Sequence, residues 1–138
     1  MKKLIFLFLI VMSAYLSATT MQQVEREAHY GNVYAQYDLG IRYKYAQQTP
    51  KNLHKAFKWL HKAALKGHSL SQYEFGLLFH YGQGVRQNAE LARLWLTRAA
   101  KRGHPQAQEI LYRFYAAKKP HYFRGTPLRF SLNFRQYR

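Results

Sequence analysis

Twelve positions of this chain recur after thirty-six residues: Gly31, Gln36, Tyr37, Gly40, Tyr45, Gln47, Asn52, Ala56, Trp59, Leu60, Ala63 and Ala64 return as Gly67, Gln72, Tyr73, Gly76, Tyr81, Gln83, Asn88, Ala92, Trp95, Leu96, Ala99 and Ala100. Gly103, His104, Ala107, Gln108, Leu111 and Tyr115 open a third copy in register with Gly67, His68, Ser71, Gln72, Phe75 and Phe79. Self-similarity at such an interval means stacked supersecondary units, none of which buries its apolar face alone.

Each unit reads as two helices. The first spans about 33–44 and 69–80, with Ala35, Leu39, Gly40 and Tyr43, or Ser71, Phe75, Gly76 and Phe79, on one face of a 3.6-residue period. A glycine inside a helix costs about 1 kcal/mol relative to alanine, so its recurrence calls for a close neighbour at that point. The second helix spans about 53–66 and 89–102. Asn52 or Asn88 stands where a side-chain oxygen caps the first turn, and Gly67 or Gly103 where a left-handed residue ends the last. Ala56, Trp59, Leu60, Ala63 and Ala64, matched by Ala92, Trp95, Leu96, Ala99 and Ala100, form its apolar stripe.

These residues resemble the Sel1-like repeat family, relatives of the tetratricopeptide repeats. The second copy carries the family pattern almost complete, in Phe75, Gly76, Phe79, Gly82, Gly84, Val85, Ala92, Trp95, Ala99, Ala100 and Gly103. The first copy departs from it: Ala46, Gln48 and Thr49 stand where the turn reads glycine, glycine and valine, and Pro50 follows, so a turn of its own geometry is expected there. Upstream, residues 25–31 look like the end of a second helix from a truncated earlier copy, since Ala28 and Gly31 precede Ala64 and Gly67 by one interval. The resemblance implies an all-α solenoid of about two and a half helix-turn-helix repeats over 24–117, with copies at 31–66, 67–102 and, in part, 103–117.

Ahead of the repeats, Lys2 and Lys3 lead into an apolar run from Leu4 to Met12 and then to the small residues Ser13, Ala14, Ser17 and Ala18, the layout of a signal peptide over 1–18. The alternative is a retained anchor, although the run is shorter than the ~20 residues of a spanning helix. Export to the periplasm or beyond a bacterial cell is the expectation. The chain has no cysteine, so packing rather than disulfides must hold the fold.

The chain has 22 lysines and arginines against 6 acidic residues; without Lys2 and Lys3 the balance is 20 against 6, a surplus of 14. A surplus of this size attracts polyanions, or is simply a well-solvated surface. Lys51, Lys55, Lys58, Lys62 and Lys66 recur every three or four residues as a basic stripe, which Arg98, Lys101 and Arg102 extend. The tail, 118–138, is basic and aromatic, and the alternation of Leu128, Phe130, Leu132 and Phe134 with polar residues is a strand signal within an otherwise irregular segment.

No nucleophile motif, metal-binding motif or phosphate loop accompanies the repeat, which argues against an enzyme and against a cofactor, bound metal or small-molecule substrate. Seven histidines are present, but His54 with His61, or His61 with His68, lacks a third partner at ligand spacing. The resemblance places the inner, concave face on the first helices. The candidate partner-binding residues are therefore Tyr34, Tyr37, Ile41 and Lys44, then Leu70, Tyr73, Leu77 and His80, then Arg113. Aromatic side chains flanked by cations suit recognition of a protein or peptide, although the tyrosines could instead cover the adjoining repeat. The reading is a non-enzymatic protein-binding adaptor. The alternative is a basic envelope protein that binds polyanions: lipopolysaccharide, acidic envelope polymer, an anionic membrane surface or nucleic acid.

Overall fold

The computed structural model describes residues 2–115, whose regular elements are all helical and joined by short turns: α1 Lys2–His29, α2 Val33–Tyr45, α3 Leu53–Leu65, α4 Ser69–Tyr81, α5 Ala89–Lys101, α6 Pro105–Ile110 and a π-helical turn, Leu111–Tyr115. The tail at 118–138, with the strand read into it, lies outside the described residues.

Capping fixes where the helices begin. The Asn52 side chain accepts from the Lys55 amide, and that of Asn88 from Glu90 and Leu91. Asn32 does the same for α2. At the corresponding position of the next unit His68 takes over, its Nδ1 accepting from the Ser71 amide at 3.3 Å and lying 2.8 Å from the Ser71 hydroxyl. After the second helices Gly31, Gly67 and Gly103 adopt φ of 95°, 87° and 82°.

The core repeats position by position. Trp95 packs in one cluster with Phe57, Leu60, Ala64, Phe75, Phe79 and Ala92. Trp59 packs one interval earlier with Met21, Val24, Ala28, Leu39, Tyr43 and Ala56, each thirty-six residues before its counterpart. Residues 21–28 of α1 thus act as the second helix of a preceding unit, as Ala28 and Gly31 suggested. Burying each large side chain contributes about 1.5–3 kcal/mol, so the shared clusters hold adjacent units together. Gln36, Gln72 and Gln108 add a hydrogen bond at each junction, their Nε2 donating to the carbonyls of Ala28, Ala64 and Ala100 at 3.0, 3.1 and 3.4 Å.

The helix glycines sit where two helices touch. A Cβ on Gly40 would lie 2.7 Å from Leu60 Cγ, and one on Gly76 2.9 Å from Leu96 Cγ. The turn of the first copy differs from expectation. Its geometry is that of the second: Ala46 and Gln48 both adopt φ of 58°, where Gly82 and Gly84 have 67° and 72°. Ala46 donates to the Arg42 carbonyl as Gly82 does to that of Leu78, and Asn52 donates to Tyr43 as Asn88 does to Phe79. The backbone ladder and the packing on both sides impose the turn on residues that disfavour it.

The third copy also departs from one continuous helix, since α6 ends after six residues and the chain widens into the π-helical turn. Tyr115 on that turn packs against Leu77 and the α5 core and lies 2.7 Å from His80 Nδ1 through its hydroxyl. At the other end, α1 carries Leu4 to Met12 outward, each 47–71% exposed. Among the described residues no helix is long and apolar enough to cross a membrane.

Candidate functional site

The first helices α2 and α4 present Tyr34, Tyr37, Ile41 and Lys44, and Leu70, Tyr73, Leu77 and His80, at three- and four-residue spacing. Each set therefore lies along one side of its helix. The structure divides these residues into a floor and a rim.

Two members of the expected surface are withdrawn from it. Lys44 is 5% exposed, its Nζ 2.6 Å from Glu74 Oε2 on the next unit. A cation buried against its own carboxylate has no charge to offer a partner. Leu77 is buried among Leu96, Ala99 and Ala107, because the third unit covers it. Tyr37 and Tyr73 are half-buried, their rings 4.9 and 4.3 Å from those of His68 and His104. Each tyrosine lies against the cap histidine of the following unit, which is the covering role left open by the sequence. Ile41 and His80 are also half-buried.

Tyr34, Leu70 and Arg113 are exposed. The rim gains Tyr45 and Tyr81, 53% and 59% exposed, at equivalent ends of α2 and α4. Tyr45 lies over the buried pair, with Lys44 Nζ 5.0 Å from its ring centroid and its own hydroxyl 3.4 Å from Glu74 Oε2. Both tyrosines recur at the repeat interval, which was the available signal for them. Glu74 repeats the carboxylate of Asp38 one interval earlier, but its ion pair is not repeated, since one unit on Lys44 is matched by His80 and Glu74 by Ile110.

Burial shapes the titration of the floor. It pushes the Tyr37 and Tyr73 hydroxyls above their ordinary value, with the Glu74 carboxylate adding to the effect. Burial also lowers His68, and it lowers His104 despite an opposing pull from Glu74. At neutral pH the Tyr37 and Tyr73 hydroxyls and the His68 and His104 rings are therefore neutral.

The basic stripe is exposed along its length, at Lys51, Lys55, Lys58, Lys62, Lys66, Arg98 and Arg102. Several of its members also cover the repeat. Lys62 lies 4.3 Å over the Trp59 ring and Arg98 4.5 Å over Trp95, two equivalent cation–π lids. Lys55 lies 4.9 Å over Tyr43, and Lys66 donates to the Gly31 carbonyl. Among the described residues no group of three or more His, Cys, Asp or Glu is arranged to hold a metal ion.

The Sel1 repeat family model matches residues 33–68 and 69–104. Among solved structures, a Sel1 repeat protein from Oxalobacter formigenes is similar with a TM-score of 0.68 and 34% identity, over 69% of this chain and 28% of that one. A protective antigen of uropathogenic Escherichia coli strains that displays an SLR fold gives a TM-score of 0.63 and 36% identity, over 67% of this chain and 20% of that one. The chain thus spans less than a third of either protein. No curated protein matches it.

Proposed function

Because the chain belongs to the Sel1 repeat family, whose repeats generally mediate protein–protein interaction and typically serve as non-enzymatic scaffolds, we propose that it is a small exported adaptor that grips a peptide or protein along its first helices. The observation that carries this reading is the exposed rim of Tyr34, Leu70, Tyr45 and Tyr81 above a neutral, half-buried aromatic floor. Rigid aromatic side chains with a polar tip contribute large contact area at low entropic cost. The basic surplus of the chain as a whole favours an acidic partner and speeds its approach.

Export rests on the basic-then-apolar layout of the first eighteen residues and on the exposure of Leu4 to Met12, which make few contacts that the repeats would miss. The bacterial envelope or the surface of a host cell is the proposed place of action. The similar E. coli protein is a protective antigen, which supports a location in contact with the host.

Binding is tested with Tyr34→Ala, Leu70→Ala and Tyr81→Ala combined, on a chain used to enrich partners from bacterial envelope extract. The triple variant is expected to lose the enriched protein, with affinity down more than about thirtyfold, as befits an anchor of at least about 2 kcal/mol, and its melting temperature little changed. Undiminished enrichment would refute the proposed surface. Mass spectrometry of the protein from the producing cell tests export, with a mature N-terminus expected just after Ala18.

A further inference from the structure

Between the C-terminal ends of α3 and α5 lies an open groove of about 500 Å³, lined by Gln72, Gly67 and four cations, Lys66, Arg98, Lys101 and Arg102. None of the six carboxylates of the chain, all of them within the described residues, is among its lining residues. The repeat geometry creates this concentration. Lys66 is the C-cap of α3, Arg98 and Lys101 occupy the last turn of α5 and Arg102 is its C-cap, and stacking brings the two ends side by side. Arg102 comes close enough to Gly67 that a Cβ there would meet its Nη2 at 2.7 Å.

Cations at helix C-termini are ordinarily explained by the helix dipole. Each end carries only about half a negative charge, so two ends account for about one of the four cations. The repeat also supplies an internal comparison. One interval earlier the corresponding positions hold Tyr30, Lys62, Leu65 and Lys66, two cations in place of four. The extra charge therefore comes from Lys66, which donates to the Gly31 carbonyl of the preceding junction, and from Lys101, where the first copy has Leu65. Arg98 Cζ lies 4.5 Å from the centroid of the Trp95 ring, a contact that holds the guanidinium in place while its N–H groups can still donate.

We infer that this groove binds a phosphate group, with Arg98 and Arg102 as planar donors and Lys101 as a flanking charge; the Lys66 ammonium is held by the Gly31 carbonyl of the preceding junction. A compact dianion satisfies several donors at once, and charge-assisted bonds of this kind are the strong ones. The site is separate from the rim of the first helices, so its failure would leave the proposed adaptor role standing. The phosphate could belong to a soluble molecule or to a lipid headgroup.

The test titrates inorganic phosphate and pyrophosphate into the full 138-residue chain, read by amide chemical shifts at about 0.15 M salt, where weak long-range attraction is largely screened. In parallel, vesicles of phosphatidylcholine with and without phosphatidic acid are mixed with the chain and floated. Arg98→Gln with Lys101→Gln is compared with Lys51→Gln plus Lys55→Gln, an equal loss of charge elsewhere on the surface. Saturable binding is expected with shifts centred on Gly67 and Lys101. It should weaken at least about tenfold in the groove variant and less than about twofold in the control. Saturation by phosphate or pyrophosphate assigns a soluble ligand, and acid-dependent flotation without it assigns a headgroup. Lys101→Leu, which restores the residue type found at Leu65, separates binding from folding if the double variant melts early. Equal weakening in both double variants, or saturation by neither probe, would overturn the inference.

Discussion

At the scale of single residues, the two copies act as controls for each other. Ala46 holds a left-handed conformation that Gly82 holds without strain, and in a residue with a Cβ that conformation costs about 1–2 kcal/mol. Ala46→Gly is expected to raise stability by about 1 kcal/mol, read as a higher urea midpoint at constant slope, the relief of strain being partly offset by the greater entropy of an unfolded glycine. Gly76→Ala should do the reverse, because its Cβ would meet Leu96 Cγ at 2.9 Å within a packed interface. A loss of about 1–3 kcal/mol is expected from the same urea measurement. The sequence located Gly76, but it suggested a separate geometry for the turn at Ala46. Local residue preference was a poor guide there, because hydrogen bonds to Arg42 and Tyr43 and the packing of both helices fix the turn from outside.

At the scale of elements, the junctions between units combine caps, rings and titration. Burial holds His61, His68 and His104 below their ordinary value of 6.5, so the fold favours the neutral rings. As pH falls the unfolded chain takes up these protons first. Their contribution to stability is therefore present above about 6.5 and is lost as pH drops through the depressed folded values. Protonation also removes the lone pair with which His68 Nδ1 caps α4. The melting temperature is expected to fall between about pH 7.5 and pH 5, and His68→Asn, which restores the cap type of Asn32, should flatten that dependence. Helix positions, caps and stripes were legible in the sequence because they follow from spacing along one chain. The covering role of Tyr37 was legible only as one of two readings, and the Lys44–Glu74 pair and the burial of Leu77 were not legible, because they depend on how successive units meet.

At the scale of the whole molecule, a short stack of helix pairs offers two kinds of surface. The first helices turn a row of aromatic side chains toward a partner, while the second helices cover their tryptophans with cations and gather further charge at a junction. Stacking makes both surfaces, since neither the aromatic floor nor the basic groove is complete within one unit. The central claim is that partners are held along the first helices. Its most direct test places a photo-crosslinking phenylalanine analogue at Tyr34, Leu70 or Tyr81, or at Lys58 on the exposed side of α3, and irradiates each chain in envelope extract. The expected result is one common crosslinked partner from the three first-helix positions and none from Lys58; crosslinking from Lys58 alone, or equally from all four positions, would contradict the account.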